Sequence, residues 1–394
     1  MASSKECMWK KEMEVMQPKS NIIYLDNAAT TVVNNEVLEA YVKAKTSYFA
    51  NPSSIHAEGQ KANRLLDKAR EQIINILNTP NHEVIFTSGA TESINLAIKG
   101  YALKYQNRGK HIISTKIEHP AVKESLEQLK DLFGFEITYL KVNEKGLIDI
   151  NELISAIKKE TILVSIMAVN NEVGVVEPIK EIADILKKYP SIIFHSDVTQ
   201  AIGKIDLPYS DIDMFSFSGH KIHGLNSTGA LIKAKNLDIL PITSGGGQEN
   251  NFRSGTNDLA GAVSLAKAIR LSFDKMKLNY QNIKVLHDKL EKYILDNKDL
   301  YRLNSDTNPY IVNFSTLTKK ASVIVEGLSN HNIMVSSTSA CHAHKEPISE
   351  VVLAMTNNMS LAKNTIRVSF DENNTIEEVD TLINVLDQLI KEVK

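Results

Sequence analysis

The sequence predicts an α/β fold, a mostly parallel sheet covered by helices on both faces and followed by a smaller α+β unit. Three observations carry that expectation. From Ile22 onward, short apolar runs alternate with longer amphipathic stretches, the pattern of a sheet buried on both sides. The chain has 394 residues with 43% hydrophobic content, enough for a substantial core and for two or three structural units. After Thr256 the alternation gives way to a long helical region.

Apolar runs at 83–86, 111–114, 161–165, 191–195 and 213–217 read as buried strands. Apolar positions recurring at three- and four-residue steps predict helices at 62–77, 121–133, 150–159 and 179–188. Residues 259–297 read as an interdomain helix or helix pair. The smaller unit contains strand-like runs at 310–314 and 366–370 and finishes with an amphipathic helix at 376–391. No internal repeat or low-complexity stretch is evident.

Composition excludes several functional classes. Lys and Arg total 45 against 47 Asp and Glu, and neither sign gathers into a block, so no direct nucleic-acid partner is expected. No apolar run approaches the roughly 20 residues that span a bilayer, and no membrane association is expected. Only Cys7 and Cys341 are present, which argues against a disulfide framework and for a reducing cytoplasm. Residues 1–20 mix Lys and Glu without the apolar centre of a signal peptide and form an N-terminal extension that is expected to be disordered.

Chemistry concentrates at predicted strand ends. Lys221, in Ser218-Gly219-His220-Lys221, follows a buried strand, where an amine can be partly desolvated and made nucleophilic; a solvated lysine is the plainer alternative. The strand ending at Ser196 delivers Asp197, with Gln200 three residues on. A lysine and a carboxylate so placed are what pyridoxal phosphate requires, although Asp197 would equally serve as a helix N-cap. Gly89-Ala90-Thr91-Glu92 opens a helix behind a strand, so its backbone N–H groups can cradle a phosphate, as can those of many ordinary strand–helix turns.

His119, in Glu118-His119-Pro120, can stack on a cofactor ring or move protons, or simply be a hydrogen-bonded structural histidine. Gly245-Gly246-Gly247 followed by Arg253-Ser254-Gly255-Thr256 is a loop, either an anion contact or a surface turn. Cys341 sits among small polar residues with His342 and His344 beside it, which suits an accessible thiolate; a metal ligand and an inert thiol are the other readings. A closed zinc site needs about four ligands and no second cysteine lies nearby, so no metal site is expected.

Together these motifs, with Tyr24-Leu25-Asp26-Asn27-Ala28-Ala29-Thr30-Thr31, Asn51-Pro52-Ser53-Ser54 and Asn170-Asn171-Glu172-Val173-Gly174, resemble the cysteine desulfurases. These are a branch of the aminotransferase class V, fold-type I pyridoxal-phosphate enzymes, here the group with a long active-site cysteine loop. The resemblance runs from about Tyr24 to Asp380. It implies a large cofactor-binding domain at 35–270 on a mostly parallel seven-stranded sheet. A small domain formed by 21–34 and 271–394 would carry the cysteine loop.

Residue by residue, the resemblance makes Lys221 the lysine that carries the cofactor, Asp197 the partner of its ring nitrogen and His119 the stacked imidazole. Asn171 and Gln200 resemble the ligands of its phenolic oxygen, and Ala90, Thr91, Ser218 and His220 those of its phosphate. Thr256 matches a threonine that reaches the phosphate of a second subunit, which implies a homodimer. Arg367, with Asn171, looks like the clamp on the substrate carboxylate. Cys341 matches the nucleophile that takes sulfur from L-cysteine as a persulfide, releases alanine and passes sulfur to an acceptor protein of iron–sulfur cluster, thio-cofactor or tRNA sulfur supply.

The chain departs from the family at Gly224-Leu225-Asn226-Ser227, where a Gly-Pro-Lys-Gly-like turn is usual, and after Cys341, where His342, His344 and Lys345 intervene in a shortened segment. A selenocysteine lyase or another β-eliminating enzyme would share the lysine and aspartate. A catalytically silent scaffold is the reading outside enzymology.

Overall fold

The computed structural model describes residues 22–305, 308–337 and 348–392. The extension at 1–20 and the segment with Cys341, His342, His344 and Lys345 lie outside the described residues.

Strands β1 (Ile23–Tyr24), β2 (His82–Thr87), β3 (His111–Thr115), β4 (Glu136–Leu140), β5 (Thr161–Ser165), β6 (Ile193–Asp197), β7 (Met214–Ser218) and β8 (Gly229–Ala234) precede the long helix Leu259–Asp296. Among the described residues, the main sheet has seven strands in the order β2-β8-β7-β6-β5-β3-β4. β8 runs antiparallel to both neighbours and the other pairings are parallel.

Successive side chains on a strand point to opposite faces, and here both faces are apolar. Val84, Ile113, Val164, Phe194, Phe215 and Ile232 pack into one core with the helices Ala57–Leu77 and Ile179–Leu186 and the start of Leu259–Asp296. Their neighbours Ile85, Ile112, Leu163, Ile193, Met214 and Leu231 pack into a second core under the helices Ala90–Tyr105 and Pro120–Phe133. The sheet is thus a double-sided layer whose parallel strands all deliver their C-terminal ends to one edge.

The second unit contains β9 (Tyr301–Leu303), β10 (Ile311–Thr316), β11 (Ile333–Met334) and β12 (Thr365–Ser369). β12, β10 and β9 form an antiparallel sheet, and β1 pairs with β11. Ile283, Leu286, Leu290 and Ile294 from the far half of the long helix join Leu382, Leu386 and Leu389 of the helix Ile376–Glu392 in its core. One uninterrupted helix therefore enters both cores, where the sequence left open a helix pair.

Several boundaries differ from expectation. The strands expected at 191–195 and 213–217 begin and end later, so that Asp197 and Ser218 are their last residues. The helix expected at 150–159 stops at Ala156, because Ile157 turns extended (φ −68°, ψ 123°) to lead into β5. β4, β8 and the helix Asn35–Ser47 were not among the expected elements. Among the described residues, no helix is long and apolar enough to cross a membrane.

Candidate active site

Three turns at the C-terminal edge of the sheet meet the segment 26–31. β7 ends at Ser218 and passes into the single turn Gly219–Lys221. Lys221 Nζ donates to the carbonyl oxygens of Ala28 at 2.6 Å and Ala29 at 2.5 Å. The turn is pinned to that segment by Thr31, whose N–H and hydroxyl both donate to the His220 carbonyl at 2.9 Å. Burial, with the cations of Lys204 and Arg367, lowers the Lys221 amine from its ordinary value to about 7, against the opposing pull of Asp26 and Asp197. An amine in that range is largely unprotonated just above neutrality and therefore nucleophilic.

Asp197 is buried, and its Oδ1 accepts the Thr199 N–H at 2.9 Å. That bond closes a turn and not a helix, since no helix directly follows β6 and the N-cap role considered for Asp197 is not taken up; the same carboxylate acts on Lys221 and His119 through its charge. His119 is the N-cap of the helix Pro120–Phe133, where its Nδ1 accepts the Ala121 N–H at 3.1 Å. A neutral ring accepting at Nδ1 carries its proton on Nε2. Burial lowers the His119 pKa, Asp197 opposes that, and Lys221 reinforces it, so the neutral ring prevails at neutral pH.

A glycine-built strand–helix turn adjoins the lysine. The Ala90 N–H, at the start of the helix Ala90–Tyr105, donates to Ser218 Oγ at 2.7 Å. Gly89 has φ +151°, a conformation reserved for glycine, and a Cβ on Gly229 would lie 2.5 Å from the Gly89 Cα. Both glycines are thus required for β8 and the helix start to approach this closely. A cleft of about 400 Å³ opens there, lined by Thr30, Ala90, Thr91, Ser218, His220 and Ser227 among others. Burial, then Lys221 and Lys204, lowers His220 to about 4, so it faces the cleft as a neutral ring. Glu92 stands at the same edge, its carboxylate held by the Ser88 N–H at 2.7 Å and by Arg253 Nε at 2.8 Å.

Thr256 is exposed and lines a neighbouring cleft of about 180 Å³ with Ser88, Ser227 and Arg253. Ser227 takes φ +59°, the left-handed conformation that the more usual glycine of this turn would adopt without strain. The altered turn Gly224-Leu225-Asn226-Ser227 nevertheless closes, with Thr228 Oγ1 donating to the Leu225 carbonyl at 2.7 Å.

The second unit contributes Arg367. Buried in β12, it donates from Nη1 to the Asn171 carbonyl and from Nη2 to Asp26 Oδ1, both at 2.8 Å. Gln200 is buried and donates to the Ala28 carbonyl at 3.0 Å. The structure therefore brings Lys221, Gln200 and Arg367 onto the segment 26–31 and Asn171 onto Arg367, sets Asp197 and His119 in the charge field of Lys221, and lines the adjoining cleft with Ala90, Thr91, Ser218 and His220.

The site also contains residues that sequence reasoning passed over. Asp26 holds Arg367 and lay within a quoted motif without a role. Glu118 is fully buried beside His119, accepting from Thr115 Oγ1 and the Met167 N–H, both at 2.9 Å. Lys204 contacts Gln200. Glu172 accepts from Ser349 Oγ at 2.6 Å, just beyond the segment with Cys341. On the other side of that segment, Ser336 exchanges backbone hydrogen bonds with Arg367 at 3.1 and 2.8 Å.

A donor set of this kind can hold pyridoxal phosphate. It offers a desolvated amine, a buried carboxylate, a neutral imidazole and a glycine-shaped helix start lined by Thr91 and Ser218. The chain matches the model of the aminotransferase class-V family over residues 23–382. It is 39% identical over 374 residues to a NifS/IcsS protein homolog of Lactobacillus delbrueckii subsp. bulgaricus, covering 93% of this chain and 97% of the relative. It is likewise 39% identical over 380 residues to cysteine desulfurase IscS of Dictyoglomus turgidum, covering 94% of this chain and 95% of that one. A solved NifS-like protein superposes with a TM-score of 0.87 at 33% identity, covering 95% of this chain and 100% of that structure.

Proposed function

This chain belongs to the aminotransferase class-V family, among its cysteine desulfurases, and we propose that it converts L-cysteine to L-alanine with pyridoxal phosphate on Lys221 and sulfur held on Cys341. The observation that carries this reading is the Lys221 amine held on the Ala28 and Ala29 carbonyls just past the end of β7, with the buried Asp197 carboxylate acting on it through its charge.

When bound, pyridoxal phosphate supplies an electron sink for charge developing at the substrate Cα. Ala90, Thr91, Ser218 and His220 would hold its phosphate, Asp197 its ring nitrogen, Asn171 and Gln200 its phenolic oxygen, and His119 its ring face. Arg367 binds the substrate carboxylate through its planar donors. The unprotonated Lys221 amine takes the proton from the substrate Cα. His119, with its proton on Nε2, stands ready to deliver one to the departing side.

The Cys341 thiolate then attacks the substrate sulfur. The Sγ–S bond forms as the substrate Cβ–S bond breaks, its electron pair stays with the carbon skeleton, and protonation there gives alanine. No external oxidant is needed, because the substrate Cβ keeps the C–S electron pair and is reduced to the methyl of alanine as the sulfur is oxidised from thiol to persulfide. The nearby ends of that segment are tied to Arg367 and Glu172, the sides of the site where the carboxylate clamp and Asn171 sit.

Thr256 would serve a second subunit. A homodimer is supported by exposed apolar side chains gathered in one stretch of sequence, Val32 at 69%, Phe49 at 80% and Ile55 at 92% exposure. The sulfur would pass to an acceptor protein of iron–sulfur cluster or thio-cofactor supply, in a reducing cytoplasm that keeps the thiol available. Borohydride reduction and peptide mapping should place a pyridoxyl group on Lys221. Cys341→Ala should abolish persulfide formation and cysteine-dependent alanine release. Full-rate desulfuration by that variant would instead indicate an enzyme that eliminates without a protein nucleophile.

A further inference from the structure

Behind Lys221 stands a second buried amine. Lys204 lies in the turn that follows β6, and its Nζ donates to Gln200 Oε1 at 3.3 Å. Lysine is only a donor, so this contact fixes the amide of Gln200 with its oxygen toward Lys204 and its nitrogen away. Gln200 Nε2 accordingly donates to the Ala28 carbonyl at 3.0 Å, and that oxygen also accepts Lys221 Nζ at 2.6 Å. The two amines further wall one small cavity of about 20 Å³ with Asn27, Tyr310, Asp371 and Glu372. The Lys204 ammonium lies 5.6 Å from the centre of the Tyr310 ring.

We propose that Lys204 is a positioning residue for Lys221, orienting the Gln200 amide against the shared Ala28 carbonyl and presenting a second positive charge to the same enclosed space. The inference rests on Lys221 as the cofactor lysine. The charges facing Lys221 come from several elements: Asp26 on the N-terminal segment, Asp197 and Lys204 around the end of β6, and Arg367 on β12, with His119 and His220 titrating beside it. Among them Lys204 is the largest opposing charge to an ammonium at 221. Lys204 itself is lowered to about 8 by burial and, less, by Arg367, against the pull of Glu372 and Asp371, so it is mainly a cation at neutral pH.

The test is a pH titration of the visible absorbance of cofactor-loaded, full-length protein, comparing the unaltered chain with Lys204→Met, Lys204→Gln and Lys204→Arg. Removing the charge should move the spectroscopic midpoint upward by about half a pH unit or more, and arginine should restore it. Lys204→Gln keeps a donor without the charge and decides the matter if the methionine variant does not fold. Coincident midpoints in the unaltered and charge-free variants would overturn the proposal and leave Lys204 as a counter-charge to Asp371 and Glu372. A borohydride-stable adduct persisting in Lys221→Ala, with Lys204 intact, would refute the assignment of Lys221 separately.

Discussion

The guanidinium of Arg367 is held by Asp26, with Nη2 donating to Oδ1 at 2.8 Å, while Nη1 donates to the Asn171 carbonyl and Nε is buried without a partner among the described residues. The fork is thus oriented before any substrate arrives. A lysine at 367 could satisfy Asp26 or a substrate carboxylate but not both with the same geometry. Arg367→Lys should lower kcat/KM for cysteine on the order of tenfold to a hundredfold, as expected for lost hydrogen bonds to charged groups. Steady-state alanine production measures this, and an unchanged visible spectrum would show that the cofactor remains bound.

Lys221 gives a pH signature of defined sign. Its amine is lowered to about 7, so the nucleophilic free base grows as pH rises through that value and is scarce below it. Full-length protein freed of cofactor should recapture pyridoxal phosphate at a rate that rises with pH and levels off above about 8. Stopped-flow absorbance would report the midpoint. A rate still climbing steeply beyond pH 9 would mean that the amine is not desolvated.

The legible parts of this fold and site share a physical property: their environment is decided by nearby sequence. β3, β5, β6 and β7 are apolar on both faces, and a run of such residues declares itself. β4 did not, because it lies at the sheet edge and is only partly covered. β8 did not because Lys233 interrupts its apolar run, and that lysine is buried through a partner far away in sequence. Lys221, Asp197, His119 and the Gly89 turn were readable as strand ends and helix starts. The settings of Lys204, Glu118 and Asp26 depend on segments brought together only by tertiary packing.

Lys233 and Glu83 face each other across the β2–β8 pairing, with Nζ 2.5 Å from Oε1. Nζ also donates to the Leu237 carbonyl at 2.6 Å and lies 4.3 Å from the centre of the Phe252 ring. Lys233 is buried and Glu83 only partly so, which leaves a partly desolvated carboxylate when the amine is removed. Lys233→Met should cost about 3 kcal/mol of unfolding free energy in urea, and adding Glu83→Gln should recover much of it. If the double variant is as unstable as the single, the lysine acts through its carbonyl contacts and not through the ion pair.

Glu118 makes the chain's stability depend on pH in the direction opposite to an ordinary surface carboxylate. Burial, partly offset by the Met167 and Thr115 hydrogen bonds, raises its pKa to about 8, and Oε2 is buried without a partner among the described residues. Between the unfolded carboxylate value and 8, the folded chain holds a proton that the unfolded chain has released. Stability contributed by this group is therefore complete at low pH and declines as pH rises across that window. Glutamine mimics the protonated acid in shape and keeps an oxygen to accept from Thr115 and Met167. Glu118→Gln should match the unaltered chain in thermal midpoint near pH 4 and exceed it increasingly toward pH 8, as followed by circular dichroism. If the difference between the two proteins is constant across that range, Glu118 is ionised in the folded chain and a cation must compensate it.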